Sequence, residues 1–247
     1  MHVGVWRLGK QRVGPDNVIK DWFMLGWGAK WLFNSETQSD FVTGKEALKR
    51  DDKRICKSLW KLVNDSDIII THNGIQFDVP KINTRFILNG LTPPAPYLMI
   101  DTKKIAYKQF GFSSNALNYL GKIMLSKEKI HTDYQLWIDC EEGKQESIDF
   151  METYCKGDVG LLEEVYLELR PWIKSHPNLA IMMDAKDPCC PNCGSFSLTE
   201  ENHYYTTPQN KYKVVRCNSC GAVNRRAISD LDLTPAQRKS RIVPSSR

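Results

Sequence analysis

The sequence predicts a mixed α/β domain followed by a small cysteine-stapled module. Three observations carry this expectation. Short apolar runs bounded by turn residues alternate with amphipathic stretches up to about residue 170, as in strands and helices packed in layers. Five of the eight cysteines fall between Cys189 and Cys220, whereas Cys56, Cys140 and Cys155 are scattered. The 247 residues are too many for one domain of about 150 and too few for two. The expected organisation is a domain over 1–186, the cysteine module over 187–228, and a basic flexible tail over 229–247.

Composition excludes several classes. Apolar residues make up 41% and charged residues 26%, which is ordinary for a globular chain and argues against wholesale disorder. No apolar run approaches the ~18 residues of a membrane span, and the start, MHVGVWRLGKQ, lacks the apolar core of a signal peptide. A cytoplasmic protein without a membrane partner is expected, and the clustered cysteines then point to metal rather than disulfides.

The elements follow in order. VGVWRL reads as a strand, KQRVGPDN as a turn, and DWFMLGWGAKWL as a second long apolar segment. NSETQSD, with Glu36 and Asp40, reads as a polar loop. Ala47, Leu48, Ile55, Leu59, Leu62 and Val63 recur near a 3.6 period and predict one helix over 45–63. DSDIIIT predicts a buried strand. Val79, Ile82, Phe86 and Ile87 predict a helix over 79–89 that stops at Gly90. YLMID predicts another strand, and two or three helices follow between 102 and 125. A long amphipathic helix over 144–170 ends at Pro171.

The strongest motif is the pair of C-x-x-C-Gly knuckles, Cys190-Pro-Asn-Cys193-Gly194 and Cys217-Asn-Ser-Cys220-Gly221. Each pair can set two sulfurs on one ion, and the glycine tolerates the tight turn. Two pairs complete the tetrahedral sulfur shell that suits a structural Zn²⁺. About 35 residues bury too little apolar surface to fold alone, so the metal would serve as their core. HYYTTPQNKYKVVR between the knuckles predicts a hairpin, and the whole reads as a zinc ribbon. Thiol redox chemistry is the competing reading, and Cys189 is an alternative ligand. Residues 187–247 hold nine Lys and Arg against five Asp and Glu, so +4 of the net +5 sits there. Lys211, Lys213, Arg216, Arg225 and Arg226 on the hairpin are candidate contacts to a phosphate backbone. A solubilising surface is the plainer alternative.

Two carboxylates stand in unusual places. The stripe Met151, Cys155, Leu162, Val165, Leu169 on the long helix is completed at the expected step by Asp158, with Tyr154 one turn earlier. A carboxylate on a buried stripe is costly unless it is paired or binds metal. Gly157 and Gly160 leave room for a close approach. The second carboxylate is Asp78, in THNGIQFDVP at the start of a helix, where, taken alone, an ordinary helix cap is the favoured reading. His72 and Asn73 stand at the end of the preceding strand, the usual place for ligand contacts in an α/β sheet.

Together these residues resemble a known pattern. HNGIQFDVP is similar to the second motif, and YCKGD (Tyr154 to Asp158) to the tyrosine-containing third motif, of DEDD-type 3′–5′ exonucleases of the ribonuclease H-like fold. DWFMLGWGAKWL, YLMIDTKKIA and KIHTDYQLW extend the likeness over about residues 3–175. It looks like the YprB-type branch, related to the exonuclease domain of family B DNA polymerases and found in phage-encoded exonucleases. The resemblance implies a mixed sheet flanked by helices and hydrolysis of phosphodiesters from single-stranded 3′ ends in replication or repair. It also implies two Mg²⁺ or Mn²⁺ ions and a DNA polymerase or replication complex as partner. By the same resemblance Asp158 binds the nucleophile-side metal, Tyr154 orients the attacking water, Asp78 supports the second metal, and His72 and Asn73 contact the nucleotide.

One motif departs from the pattern. The family's D-x-E, on its central first strand, would stand just before His2, and neither Asp16 nor Asp21 reproduces its spacing. A functional form with about 10–20 further residues before Met1 is expected, sized as one strand and its lead-in. The alternative is a non-catalytic nucleic-acid-binding protein that uses the ribbon and an inactive exonuclease scaffold. Trp6, Trp22, Trp27 and Trp31 are expected in the core, with base stacking as the alternative. His131, Glu163, Glu164 and Asp101 are weaker candidates, Asp101 chiefly as a helix cap.

Overall fold

The computed structural model describes residues 2–3, 18–207, 210–228 and 234–235. The chain divides into two compact units, Met1–Lys103 with Ser114–Val165, and Lys104–Ser113 with Tyr166–Arg247.

The first unit begins with β1 (His2–Val3), antiparallel to β2 (Val18–Lys20). The rest of VGVWRL, with Trp6, and the turn after it lie outside the described residues. β3 (Gly26–Ala29) and β4 (Gln38–Phe41) then form an antiparallel hairpin, with Trp27 opposite Asp40. This corrects the expected polar loop, because Asp40 sits in a strand. Its carboxylate pairs with Arg54 and accepts the Ser58 hydroxyl at 2.5 Å, so a polar stretch is held as a strand by partners outside it.

The single helix expected over 45–63 is two, α1 (Gly44–Lys49) and α2 (Lys53–Asn64). Arg50 breaks them apart in the left-handed conformation, at φ 55°. Thr43 and Glu46 cap α1 reciprocally. Asp52, 1% exposed, opens α2 and receives Nε and Nη2 of Arg85 at 2.6 and 2.8 Å, the Asn89 amide at 2.9 Å and the Met24 N–H at 2.8 Å.

β5 (Ile68–Thr71) runs parallel to β6 (Leu98–Asp101), in register from Ile68 opposite Leu98 to Thr71 opposite Asp101. The crossover between them is α3 (Asp78–Leu88), which ends in a turn with Gly90 at φ 71°. β5 was expected to be buried, but all four of its residues are half-exposed. The reason is pairing on one side only: among the described residues β5 bonds to β6 alone and β3 to β4 alone. α4 (Thr102–Gln109), which belongs to the second unit from Lys104 on, is followed by α5 (Leu117–Leu125), α6 (Tyr134–Glu141) and α7 (Gln145–Leu169), whose residues from Tyr166 on also belong to the second unit. On α7 Met151, Val165 and Leu169 are buried as expected, but Leu161 is buried in place of Leu162, and Cys155 is half-buried.

Two apolar clusters hold this unit. One joins Phe23, Val42, Ala47, Ile55, Cys140, Ile148 and Met151, and the other joins Cys56, Leu59, Val63 and Phe86. Trp27 packs against both, and its Nε1–H donates to the Ile55 carbonyl at 3.0 Å, so this tryptophan belongs to the core. Trp31 is instead 42% exposed, and Trp22 lies beneath Lys81, 4.8 Å from the ring centroid.

In the second unit, α8 (Leu179–Met182) precedes a three-stranded antiparallel sheet of β7 (Leu198–Thr206), β8 (Lys211–Cys217) and β9 (Val223–Ala227). The expected hairpin is there, and Val223–Ala227 adds a third strand to it. The expected tail, 229–247, lies outside the described residues except for 234–235. No helix among the described residues is long and apolar enough to cross a membrane.

Candidate functional site

α7 carries Tyr154 and Asp158 one turn apart, so their side chains leave the helix on one face. Both meet Lys129, in the connection between α5 and α6. Its ammonium lies 2.5 Å from the Asp158 carboxylate and donates to the Tyr154 hydroxyl at 2.7 Å. The backbone N–H of Lys129 donates to Asn118 at 2.8 Å, which fixes the connection there. Burial works against the lysine charge, but Asp158 and then Tyr154 outweigh it, and the Lys129 pKa rises above its ordinary value. Sequence reasoning missed Lys129, because in the run SKEK it reads as a solvated charge.

Asp78 is the first residue of α3, not its cap, which is Phe77. Burial raises its pKa, its own backbone N–H partly offsets this, and the Asp101 carboxylate raises it further. Asp101, 4% exposed, accepts the N–H groups of Asn73 at 3.0 Å, Ile75 at 3.4 Å and Lys103 at 3.1 Å. It therefore caps α4 as expected and also anchors the turn after β5, where Asn73 stands at φ 71°. Gly74 is required in that turn, since a Cβ there would lie 2.5 Å from the Thr71 side chain.

His72 is committed within the fold. Nε2 faces the Asn115 carbonyl at 3.0 Å and Nδ1 the Thr102 hydroxyl at 2.9 Å. A carbonyl only accepts, so Nε2 carries the proton; the Thr102 hydroxyl also donates to the Thr71 carbonyl at 3.0 Å, so its one hydrogen serves that carbonyl as well as facing Nδ1. Burial lowers the His72 pKa and keeps the ring neutral. The Thr71 hydroxyl and the Asn115 side-chain carbonyl are buried without a hydrogen-bond partner among the described residues, polar groups that a ligand could satisfy.

Cys155 stands on α7 beside Tyr154. Burial pushes its thiol up to about 11, and the Asp158 and Asp78 carboxylates push in the same direction. A Cβ on Gly28 would lie 2.9 Å from the Cys155 sulfur, so β3 meets α7 here in close contact. Glu163, further along α7, takes Lys30 at 2.5 Å and the Phe33 N–H at 2.8 Å, and Glu164 takes Lys127 at 2.6 Å. His131 lines a shallow cleft with Asp133, Asp139 and Phe150.

Two carboxylates, one of them held by a lysine, do not fit a centre of two divalent ions. Among the described residues the one group of three or more metal-ligating side chains is Cys190, Cys193, Cys217 and Cys220, whose sulfurs lie within 4.8 Å of one another. This set does fit a metal. Zn–S bonds of about 2.3 Å in a tetrahedron set sulfurs about 3.8 Å apart. Cys190 and Cys220 are separated by 3.7 Å, and Cys193 and Cys217 by 3.5 Å. Burial opposes ionisation of Cys217, but the N–H groups of Cys220 and Ser219 bring its thiol down to about 7. Gly194 and Gly221 stand at φ 74° and 79°, as the knuckles require. Cys189 is buried beside this group and is not part of it.

Of the basic residues on the three-stranded sheet, Lys213 and Arg226 both pair with Glu200, at 2.5 and 2.7 Å, and Arg216 pairs with Glu201. Lys211 and Arg225 lie over tyrosine rings.

No curated protein matches the chain. A family profile described as the RNase H superfamily matches residues 29–170, from the end of β3 to the end of α7. It takes in the mixed α/β elements, Asp78, Lys129, Tyr154 and Asp158. With more than half of its length matched, the chain belongs to the RNase H superfamily.

Proposed function

We propose that this chain is a 3′–5′ exonuclease of the tyrosine-containing DEDD type, trimming single-stranded DNA ends in replication or repair, in the cytoplasm and beside a polymerase. Superfamily members are generally nucleases that act on nucleic acid. The observation that carries the narrower reading is the convergence of Tyr154 and Asp158 on one cation, Lys129.

Mg²⁺ or Mn²⁺ would supply Lewis-acid chemistry to such a site, with Asp78 and Asp158 among the residues holding it. The described carboxylates alone do not suffice. In this reading the Tyr154 hydroxyl orients the attacking water, Asn73 faces the terminal nucleotide, and His72 fixes the turn that presents it. Zn²⁺ on the four cysteines is structural.

A second reading follows from Lys129. A lysine on Asp158 also suits a scaffold that binds nucleic acid without cutting it. The test uses 5′-labelled single-stranded DNA with Mn²⁺, comparing the 247-residue chain with a form extended by its upstream reading frame. Shortening from the 3′ end by the extended form, abolished by Asp158→Ala and only impaired by Tyr154→Phe, supports the exonuclease. Full activity of the 247-residue chain overturns the metal-site assignment. Binding without cleavage by the extended form replaces the enzyme with the binding scaffold.

A further inference from the structure

The two faces of the three-stranded sheet differ in charge and in chemistry. Tyr205 and Tyr212 stand directly opposite each other on β7 and β8. Val214 lies two residues along β8, on the same face as Tyr212, and is paired with Arg225 of β9. Tyr205, Tyr212 and Arg225 therefore share one face. Lys213, opposite both Tyr204 and Arg226, belongs to the other.

On the Lys213 face, Glu200 takes both Lys213 and Arg226. The Tyr205 face has a cation of a different kind. The Arg225 guanidinium lies 4.9 Å from the Tyr205 ring centroid and 4.8 Å from that of Tyr212, the two rings being 6.3 Å apart. No carboxylate pairs with Arg225 among the described residues. Arg216, further along this face, is held by Glu201. Tyr205 is still 49% exposed, so its ring remains open to a ligand beside the guanidinium.

We infer that this face is a stacking platform for single-stranded DNA, with Tyr205 and Tyr212 taking the flat faces of adjacent bases and Arg225 a phosphate or a base plane. This rests on the reading of the ribbon as a nucleic-acid binder and names the residues that carry it. Stacking on an aromatic ring tolerates any base, and a guanidinium beside the rings complements the backbone charge. Duplex DNA keeps its base faces inside the stack and can use only the charge. The inference therefore selects single strands. It also separates the residues on the hairpin: Arg225 contributes strongly, whereas Lys213 and Arg226 must first leave Glu200.

The test is fluorescence anisotropy of the zinc-loaded full chain without added Mg²⁺, using labelled oligo-dT of about 15 nucleotides and a duplex of equal length. Tyr205→Leu with Tyr212→Leu is expected to weaken oligo-dT binding by about tenfold or more, by the same factor at low and high salt. Tyr205→Phe with Tyr212→Phe keeps the rings and is expected to keep the affinity. Arg225→Gln should lower the salt slope by about one. Bound zinc, one per chain, reports that each variant is folded. If the double leucine variant loses zinc, Tyr205→Leu alone takes its place. Wild-type affinity in a zinc-loaded leucine variant, or equal losses in the leucine and phenylalanine variants, overturns the platform while leaving a charge-based binder. Failure of the wild type to bind either DNA overturns the ribbon reading itself.

Discussion

The Lys129 ammonium lies 2.5 Å from the Asp158 carboxylate, and both side chains are about three-quarters shielded from solvent. Lys129→Met leaves the carboxylate without its partner and is expected to cost about 1–3 kcal/mol of stability. In Lys129→Met with Asp158→Asn, the uncompensated charge is gone, so the combined cost should fall short of the sum by about 1 kcal/mol or more. Urea unfolding of the three variants without divalent ions measures this coupling. Strictly additive costs would show that the pair contributes nothing.

Asp78 has the opposite balance. Its pKa is raised, chiefly by burial and also by Asp101, so folding works against the ionised form. Above its ordinary pKa, the ionised group penalises the fold. Asp78→Asn is expected to raise the unfolding midpoint by about 1–3 °C at pH 7 while removing nuclease activity from the extended form. A lower midpoint would mean that the carboxylate has a stabilising partner.

Asp52 is held ionised. Burial opposes its charge, but Arg85, the Met24 N–H and Asn89 outweigh that and depress its pKa. Glu46 is brought from 4.5 to about 2, first by Arg54. Groups with depressed pKa values stabilise the fold fully above their unfolded values and lose that contribution as pH falls through the folded ones. Stability should therefore drop from about pH 4.5 towards pH 2. Arg85→Met should cost about 3–4 kcal/mol at pH 7 and less towards pH 4, because protonation relieves the stranded carboxylate. Urea midpoints across this range check both statements.

Zinc is expected at one ion per chain. Cys217→Ser with Cys220→Ser should abolish binding and expose the three-stranded sheet to proteolysis, because few apolar side chains surround the sulfurs. Elemental analysis with limited proteolysis tests this, and zinc retained by the double variant would disprove the ligand set.

Much of this was legible in the chain. The cysteine spacing identified the four residues that come together, because two knuckles leave few ways to satisfy one tetrahedron. The period of α7 placed Tyr154 and Asp158 on one face. What escaped depends on contacts across long stretches of sequence. Lys129 reaches its partners through the fold, and Asp40 becomes part of a strand because Trp27, Arg54 and Ser58 surround it. The break at Arg50 was hidden because its left-handed backbone interrupts the helix without a glycine or proline to mark it. The pairing of Lys213, Arg216 and Arg226 with Glu200 and Glu201 was also invisible, since net charge counts residues and not their neighbours.

The one-sided pairing of β5 has a consequence for handling the protein. Ile68, Ile69 and Ile70 form a half-exposed run whose backbone donors and acceptors on the side away from β6 meet no other strand among the described residues. An aliphatic strand with an open edge is a template for whatever extended segment arrives first. A strand from its own chain would close the edge; at high concentration another molecule's strand can do so instead. Self-association that grows with concentration and is suppressed by Ile69→Lys would identify this edge as the seed.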